Sequence, residues 1–258
     1  MTRTAIIIPC YNEAERLKPS AFVNFAAENR SVHFIFVNDG SSDDTPAVIA
    51  ELATTDPDRF LHVDLKRNAG KAEAVRRGFL RAFEDTCDYI GFWDADLSTP
   101  LDTIGAFTDL LSDDTIQIVI GARVRLLGRT IVRKRSRHYL GRVFATLAGT
   151  VLRIPVYDTQ CGAKLFRNTQ ALRRVFSRRF MARWIFDVEV LARCIILARH
   201  AGSSLSDGII EYPLPCWVGR GGSKVGYSAF LKAPLELARI FAILYLPGVS
   251  HLYAKKFL

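Results

Sequence analysis

The sequence predicts an α/β protein: a mostly parallel central sheet with helices on both faces. Three observations lead there. Short, mostly apolar runs recur through the first half of the chain. Segments with helical spacing of apolar residues lie between them. Charged and amide side chains gather just after the runs, where such sheets place their ligand sites.

Ala5–Pro9 is the first run, and it ends in the turn Cys10-Tyr11-Asn12-Glu13. His33–Val37, Phe60–Leu65, Tyr89–Trp93 and Ile116–Ile120 follow. Each is short and continuous, as expected for a strand buried on both faces. Helices are expected at Ser20–Asn29, Asp44–Ala53, Lys71–Phe83 and Leu101–Leu111. The second half differs. Between Asp114 and Asp158 there is no acidic residue, while arginines recur from Arg123 to Arg153. From about Val132 to Leu152 apolar residues return at helical spacing, which predicts one or two basic amphipathic helices. A helix near Ile185–Arg199 and a strand near Gly208–Leu214 come next. The tail after Tyr227 is apolar and helical in pattern, interrupted by Pro234 and Pro247.

A formal net charge of +9, with 49% hydrophobic and 24% charged residues, fits a globular chain with an anionic partner. Nucleic acid is the weakest choice, because no RRM, KH or zinc-finger pattern is present. The five cysteines form no CxxC pair, which argues for a reducing compartment and against a zinc site. The apolar run in MTRTAIIIPCYNE is too short for a signal peptide, and no stretch of about 20 apolar residues predicts a spanning helix.

The strongest local pattern is Trp93-Asp94-Ala95-Asp96. If the strand stays extended, Asp94 and Asp96 face one side and converge on a hard cation. Magnesium or manganese takes a few carboxylates and completes its shell with phosphate oxygens. Two acids in a solvated turn is the plain alternative. In Val37-Asn38-Asp39-Gly40-Ser41-Ser42, Asp39 at a strand end can accept hydrogen bonds from a base or ribose. Asn68-Ala69-Gly70-Lys71 sets a glycine and a lysine at a helix start, a combination suited to phosphate.

Taken in order, IPCYNE, VNDGSSDDT, NAGKAEAVRRGF and DADLSTP resemble the inverting family 2 glycosyltransferases of the GT-A fold. DTQCGAKLF and RWIFDVE extend the resemblance to polyprenyl-phosphate sugar synthases. The dolichyl-phosphate β-glucosyltransferases and mannose synthases are the nearest groups. The resemblance covers about residues 4–224 and sets a catalytic domain over residues 1–226, with a basic interface segment at 131–153; the apolar pattern of the tail over 227–258 predicts an element that packs on the domain or, by preference, contacts membrane or mediates oligomerisation. It implies that Pro9, Tyr11, Glu13, Asp39 and Lys71 surround the nucleotide, and that Asp94 and Asp96 handle ribose, diphosphate and a Mg²⁺ or Mn²⁺ ion. Gln160 and Lys164 would line the sugar and acceptor region. Arg123, Arg133, Arg135, Arg137, Ser223 and Lys224 would receive the acceptor's phosphate. Relatives carry acidic residues where this chain has Val218-Gly219-Arg220-Gly221. The donor implied is a nucleotide-sugar, UDP-linked before GDP-linked. The acceptor implied is a polyprenyl or dolichyl phosphate on the cytoplasmic side of a membrane.

Chemistry favours such an acceptor. A phosphate monoester loses its second proton near pH 6, so it attacks the anomeric carbon without a base. A saccharide or protein hydroxyl would need one, and Asp187 is the candidate, although a structural role at a helix start is equally open to it. Trp184 and Trp217 are candidates to flank the sugar.

Overall fold

The computed structural model describes residues 2–132, 135–219 and 227–255. The elements are β1 (Thr4–Cys10), α1 (Pro19–Glu28), β2 (Val32–Asn38), α2 (Thr45–Thr55), β3 (Phe60–Asp64), α3 (Lys71–Ala82), β4 (Tyr89–Trp93), α4 (Thr103–Leu111) and β5 (Ile118–Ala122). Then come β6 (Thr130–Val132), α5 (Arg135–Leu152), β7 (Ala163–Arg167), α6 (Gln170–Ser177) and α7 (Phe186–His200). The last are β8 (Ile209–Pro213), β9 (Cys216–Val218), α8 (Tyr227–Tyr245) and α9 (Pro247–Ala254).

Seven strands form the central sheet in the order β3-β2-β1-β4-β7-β5-β8. All pair in parallel except β7, which runs antiparallel between β4 and β5. A separate pair, β6 and β9, lies apart from it. The mostly parallel sheet expected from the apolar runs is therefore present, with one reversed strand.

Strand periodicity assigns each residue to a face. Along β1, Ala5 and Ile7 enter one core while Ile6, Ile8 and Cys10 enter the other. The second core lies under α1, α2 and α4, where Phe22 meets Phe34 and Phe36 edge-on at 5.2 and 5.0 Å. The first core lies under α3, α6 and α7, where Phe79 stacks on Phe176 at 3.6 Å. Each fully buried aromatic contributes about 2–3 kcal/mol of transfer free energy.

The tail is continuous with this first core. Ala233, Leu237, Ile240, Ile243, Leu244, Tyr253 and Ala254 are buried in it. A polar anchor reinforces the packing. Tyr253 donates to Glu189 Oε1 at 2.7 Å, and the same oxygen receives Arg193 Nη2 at 2.7 Å. Arg193 spends its remaining donors on the carbonyls of Val175, Arg178 and Arg179. Glu189 is thus a structural member of α7.

Candidate active site

The carboxyl ends of β1, β2, β4 and β5 all open toward the same edge of the sheet, and their loops carry the site. Two of these loops lock together. Asn12, at φ 49°, donates its amide to Ser41 Oγ and accepts from the Ser42 amide through its side chain. The Glu13 and Ala14 amides donate to Thr45 Oγ1 and Asp43 Oδ2. Glu13 itself pairs with Arg16 at 2.6 Å.

Asp39 performs a related task one loop further. Its two oxygens accept the amides of Ala69 and Gly70, at 2.7 and 2.9 Å. The side chain is buried. Burial pushes its pKa up, and the two amides and Arg183 offset this only in part. Gly40 makes the approach possible: it sits at φ +63°, and a Cβ there would lie 2.5 Å from the Arg67 carbonyl carbon. The sequence led us to expect Asp39 at the nucleoside; its partner in the structure, the 69–70 turn, was not legible.

Beyond β4 the chain leaves the extended conformation, which corrects the strand argument for the DAD motif. Asp94 and Asp96 lie in a turn closed by the Leu97 amide on the Asp94 carbonyl at 3.2 Å. Leu97 takes φ 52° there. Asp96 Oδ1 accepts the Ser98 amide at 2.9 Å. Asp94 Oδ1 receives Lys71 Nζ at 2.5 Å, and both side chains remain partly open, at 35% and 40%. Burial works against the Asp94 charge, but Lys71, Arg123 and Lys164 together hold its pKa below the ordinary range. Lys71 is shifted up: burial opposes its charge, and Asp94, Asp187 and Asp96 outweigh that.

A second ion pair backs the first. Lys164 Nζ lies 2.5 Å from Asp187 Oδ1 and 2.6 Å from the Cys161 carbonyl. Its side chain is fully buried and that of Asp187 is 7% exposed. The ring of Phe92 has Lys71 at 5.9 Å and Lys164 at 5.2 Å from its centroid. Lys164 was expected among the sugar and acceptor contacts; the structure turns it inward, because β7 runs through the middle of the sheet.

The opposite wall is built on Arg123, just after β5. Its guanidinium pairs with Asp158 through Nε at 2.6 Å and Nη2 at 2.8 Å, and it lies 5.2 Å from the Trp217 ring. Burial disfavours the arginine's charge, yet Asp158 raises its pKa well above the usual value. Asp158 is held in turn by Glu211, which accepts the Tyr157 and Asp158 amides at 2.6 and 2.7 Å. Beside it, Thr159 Oγ1 and Gln160 Nε2 are buried without a hydrogen-bond partner among the described residues. Pro9, Tyr11 and Gln160 are partly exposed at the strand ends. Arg133, Ser223 and Lys224 lie outside the described residues, as do the side chains of Arg135 and Arg137.

Next to these loops α5 and α8 enclose an apolar groove of about 660 Å³. Val143, Leu147, Trp184, Pro234, Leu237 and Phe241 are among its walls.

Asp94 and Asp96 supply two hard oxygen donors in one turn. Among the described residues no group of three His, Cys, Asp or Glu side chains forms a metal cluster. The pair therefore fits a divalent cation whose shell is completed by diphosphate oxygens, and does not fit one held by protein alone.

The glycosyl transferase family 2 model matches residues 5–176, and the chain belongs to that family. It is 30% identical over 252 residues to the dolichyl-phosphate β-glucosyltransferase of Dictyostelium discoideum, covering 92% of this chain and 73% of that one. Glucosyl-3-phosphoglycerate synthase of Mycobacterium tuberculosis, solved with Mn²⁺, UDP-glucose and phosphoglyceric acid, superposes with a TM-score of 0.62 at 17% identity. That match covers 93% of this chain and 79% of the synthase. A Pyrobaculum calidifontis mannosyltransferase solved with GDP-mannose and Mn²⁺ gives a TM-score of 0.58 at 17% identity, over 98% and 69% of the two chains.

Proposed function

We propose that this enzyme transfers a hexose, glucose before mannose, from a nucleoside-diphosphate sugar to a polyprenyl or dolichyl phosphate, with inversion to a β-linked product. The donor is a UDP-sugar before a GDP-sugar. The observation that carries the choice of acceptor is the apolar groove beside the charged strand ends. Trp184 lines the groove, and three residues later Asp187 pairs with Lys164 in the charged cluster. This proximity supports a reading in which the hydrocarbon chain lies in the groove with its phosphate toward the strand ends. The Dictyostelium relative, named for dolichyl phosphate and glucose, supports the same pair of substrates.

The chemistry follows from these residues. The acceptor phosphate is a dianion at neutral pH and attacks the anomeric carbon directly. The bond from that carbon to the diphosphate oxygen breaks as the new one forms, and no proton needs to move. The residues' work is to hold two anions in line. Lys71 keeps Asp94 ionised, and Asp158 keeps Arg123 charged and oriented. Gln160 Nε2, a buried donor with no hydrogen-bond partner among the described residues, would meet a sugar hydroxyl. A Mg²⁺ or Mn²⁺ ion on Asp94 and Asp96 would supply charge to stabilise the departing diphosphate; the Mn²⁺ bound by the two structural neighbours supports this choice. The alternative, a hydroxyl acceptor with Asp187 as base, is disfavoured because Asp187 is nearly buried and tied to Lys164.

A peripheral position on the cytoplasmic face of a membrane agrees with the surface. Val143, Leu147, Leu235 and Leu252 are each more than half exposed, at 62%, 52%, 57% and 65%. Among the described residues no single helix is long and apolar enough to cross a bilayer; Lys232–Tyr245 and Pro247–Ala254 are so only together, and they bend by 86° at the break between them.

The test is a radiolabel transfer assay with UDP-glucose and GDP-mannose offered separately, polyprenyl phosphate, and Mg²⁺ or Mn²⁺. An organic-extractable product that disappears with chelator and in Asp96→Ala is the expected result. Metal-dependent nucleotide binding without any lipid product would move the acceptor to another class.

A further inference from the structure

The loop between α6 and α7 is held by carboxylates from two different helices. The Met181 and Ala182 amides both donate to Glu189 Oε2, each at 2.8 Å. The Arg183 and Ile185 amides donate to Glu236 Oε1 and Oε2, each at 3.2 Å. Glu189 belongs to α7 and is itself fixed by Arg193 and Tyr253. Glu236 belongs to α8, in the tail. A short irregular loop would otherwise leave these amides to water and lose its shape.

The clamped loop points two side chains in different directions. Trp184 enters the groove, 5.6 Å from Phe144. Arg183 reaches the nucleotide half, with Nη2 3.7 Å and Nε 3.9 Å from where a Cβ on Gly70 would stand. Its charge also acts on Asp39, whose carboxylate holds the Gly70 amide. The other cations of the site are committed: Lys71 to Asp94, Arg123 to Asp158 and Lys164 to Asp187. Arg183 is exposed and takes part in no ion pair among the described residues. An uncommitted guanidinium at such a position presents a planar fork suited to phosphate oxygens.

We propose that Arg183 binds the anionic diphosphate of the donor, and that Glu236 is the positioning residue that holds Arg183 there from the helical tail. The inference rests on the nucleotide-sugar reading of the site. It makes the tail part of the donor site through one carboxylate and the backbone it grips.

Equilibrium titration of the full chain with UDP, and separately GDP, in the presence of Mn²⁺ tests it without relying on transfer. Arg183→Ala is expected to weaken binding about tenfold, as loss of one charge-assisted contact does, with the melting temperature unchanged because the side chain is exposed. Arg183→Lys should recover part of the loss. Glu236→Ala should weaken binding several-fold in the native background and add nothing in the Arg183→Ala background. If Glu236→Ala unfolds, Glu236→Gln, which keeps one acceptor oxygen, takes its place in the cycle. Wild-type affinity in Arg183→Ala would overturn the role of Arg183. A full Glu236 effect without Arg183 would overturn the positioning role. Failure of the wild-type protein to bind either nucleotide would overturn the donor reading instead.

Discussion

The carboxylate of Asp94 lies directly on the α-carbon of Gly162. A Cβ at that glycine would stand 1.8 Å from Asp94 Oδ2 and 2.2 Å from its Cγ. The turn after β4 and the turn before β7 are adjacent in space because β4 and β7 pair antiparallel, Trp93 opposite Ala163. The glycine of DTQCGAK is thereby explained by the first aspartate of DAD. Gly162→Ala must push Asp94 off Lys71, and a displacement of about 1 Å at a reacting site costs on the order of 10²-fold. We expect kcat/KM for the donor to fall by about that factor while the melting temperature changes little. Near-normal transfer by Gly162→Ala would show that the placement of Asp94 is not critical.

The buried Lys164–Asp187 pair makes a separate prediction about stability. Removing one partner leaves an uncompensated charge in the core, at a cost of about 3–5 kcal/mol. Lys164→Met should therefore lower the melting temperature by roughly 10 °C. Lys164→Met combined with Asp187→Leu should restore most of it, because neither charge remains. Calorimetry of the two variants checks this. Equal losses in both would mean that the pair is replaced by no apolar packing at all.

The strands of the nucleotide half were legible because each is a mostly apolar run, interrupted in β3 by His62 and Asp64; β1, β2, β3 and β4 fall within two residues of the expected bounds. Strand β7 was not, because a lysine sits at its second position and the run is short. The signal that explains Lys164 is a carboxylate 23 residues away, visible only once both are folded. The same holds for Gly162 and for Glu211, whose partners are distant in sequence. Asp39, Asp94 and Lys71 stood out in the sequence because polar groups at the ends of buried strands have few structural reasons to be there. Their partners did not: Asp39 holds the 69–70 turn, Asp94 pairs with Lys71, and Asp96 accepts the Ser98 amide in a turn rather than on an extended strand. The tail's apolar pattern fitted packing on the domain as well as the preferred membrane or oligomer contact. Part of it is buried in the first core, and Leu235, Phe241 and Leu252 remain exposed.

The groove supplies the third prediction. Leu147 is 52% exposed and lines the groove. Leu147→Asp therefore adds charge to the wall without opening the core. If the groove receives the acceptor's hydrocarbon chain, KM for polyprenyl phosphate should rise about tenfold or more. Nucleotide affinity should stay at the wild-type value. A short, water-soluble prenyl phosphate should be less affected than a long one. Identical kinetics for Leu147→Asp and wild type across chain lengths would place the lipid elsewhere.

His33, on β2, gives a pH dependence with a defined sign. It is buried, and its Nε2 lies 3.7 Å from Cys87 Sγ. Burial, with Arg3 next, lowers its pKa from 6.5 to about 4, and Asp85 opposes this only weakly. The folded protein therefore keeps the imidazole neutral where the unfolded chain protonates it. Stability from this group is complete above pH 6.5 and is lost as the pH falls toward 4. The loss across that window amounts to about 3 kcal/mol. Carboxylates with depressed pKa, such as Asp94, also lose stability in acid, but mainly below pH 4, whereas Asp39 and Glu211, raised by burial, act in the opposite sense within the window, so it is the comparison with a His33 variant that isolates the histidine. Melting temperatures measured between pH 7 and pH 5 should fall for the wild-type protein. In His33→Leu, an apolar side chain in the same buried site, the decline over that interval should be much shallower. Parallel slopes for the two proteins would mean that His33 remains neutral in the unfolded state as well, and that the acid sensitivity has another source.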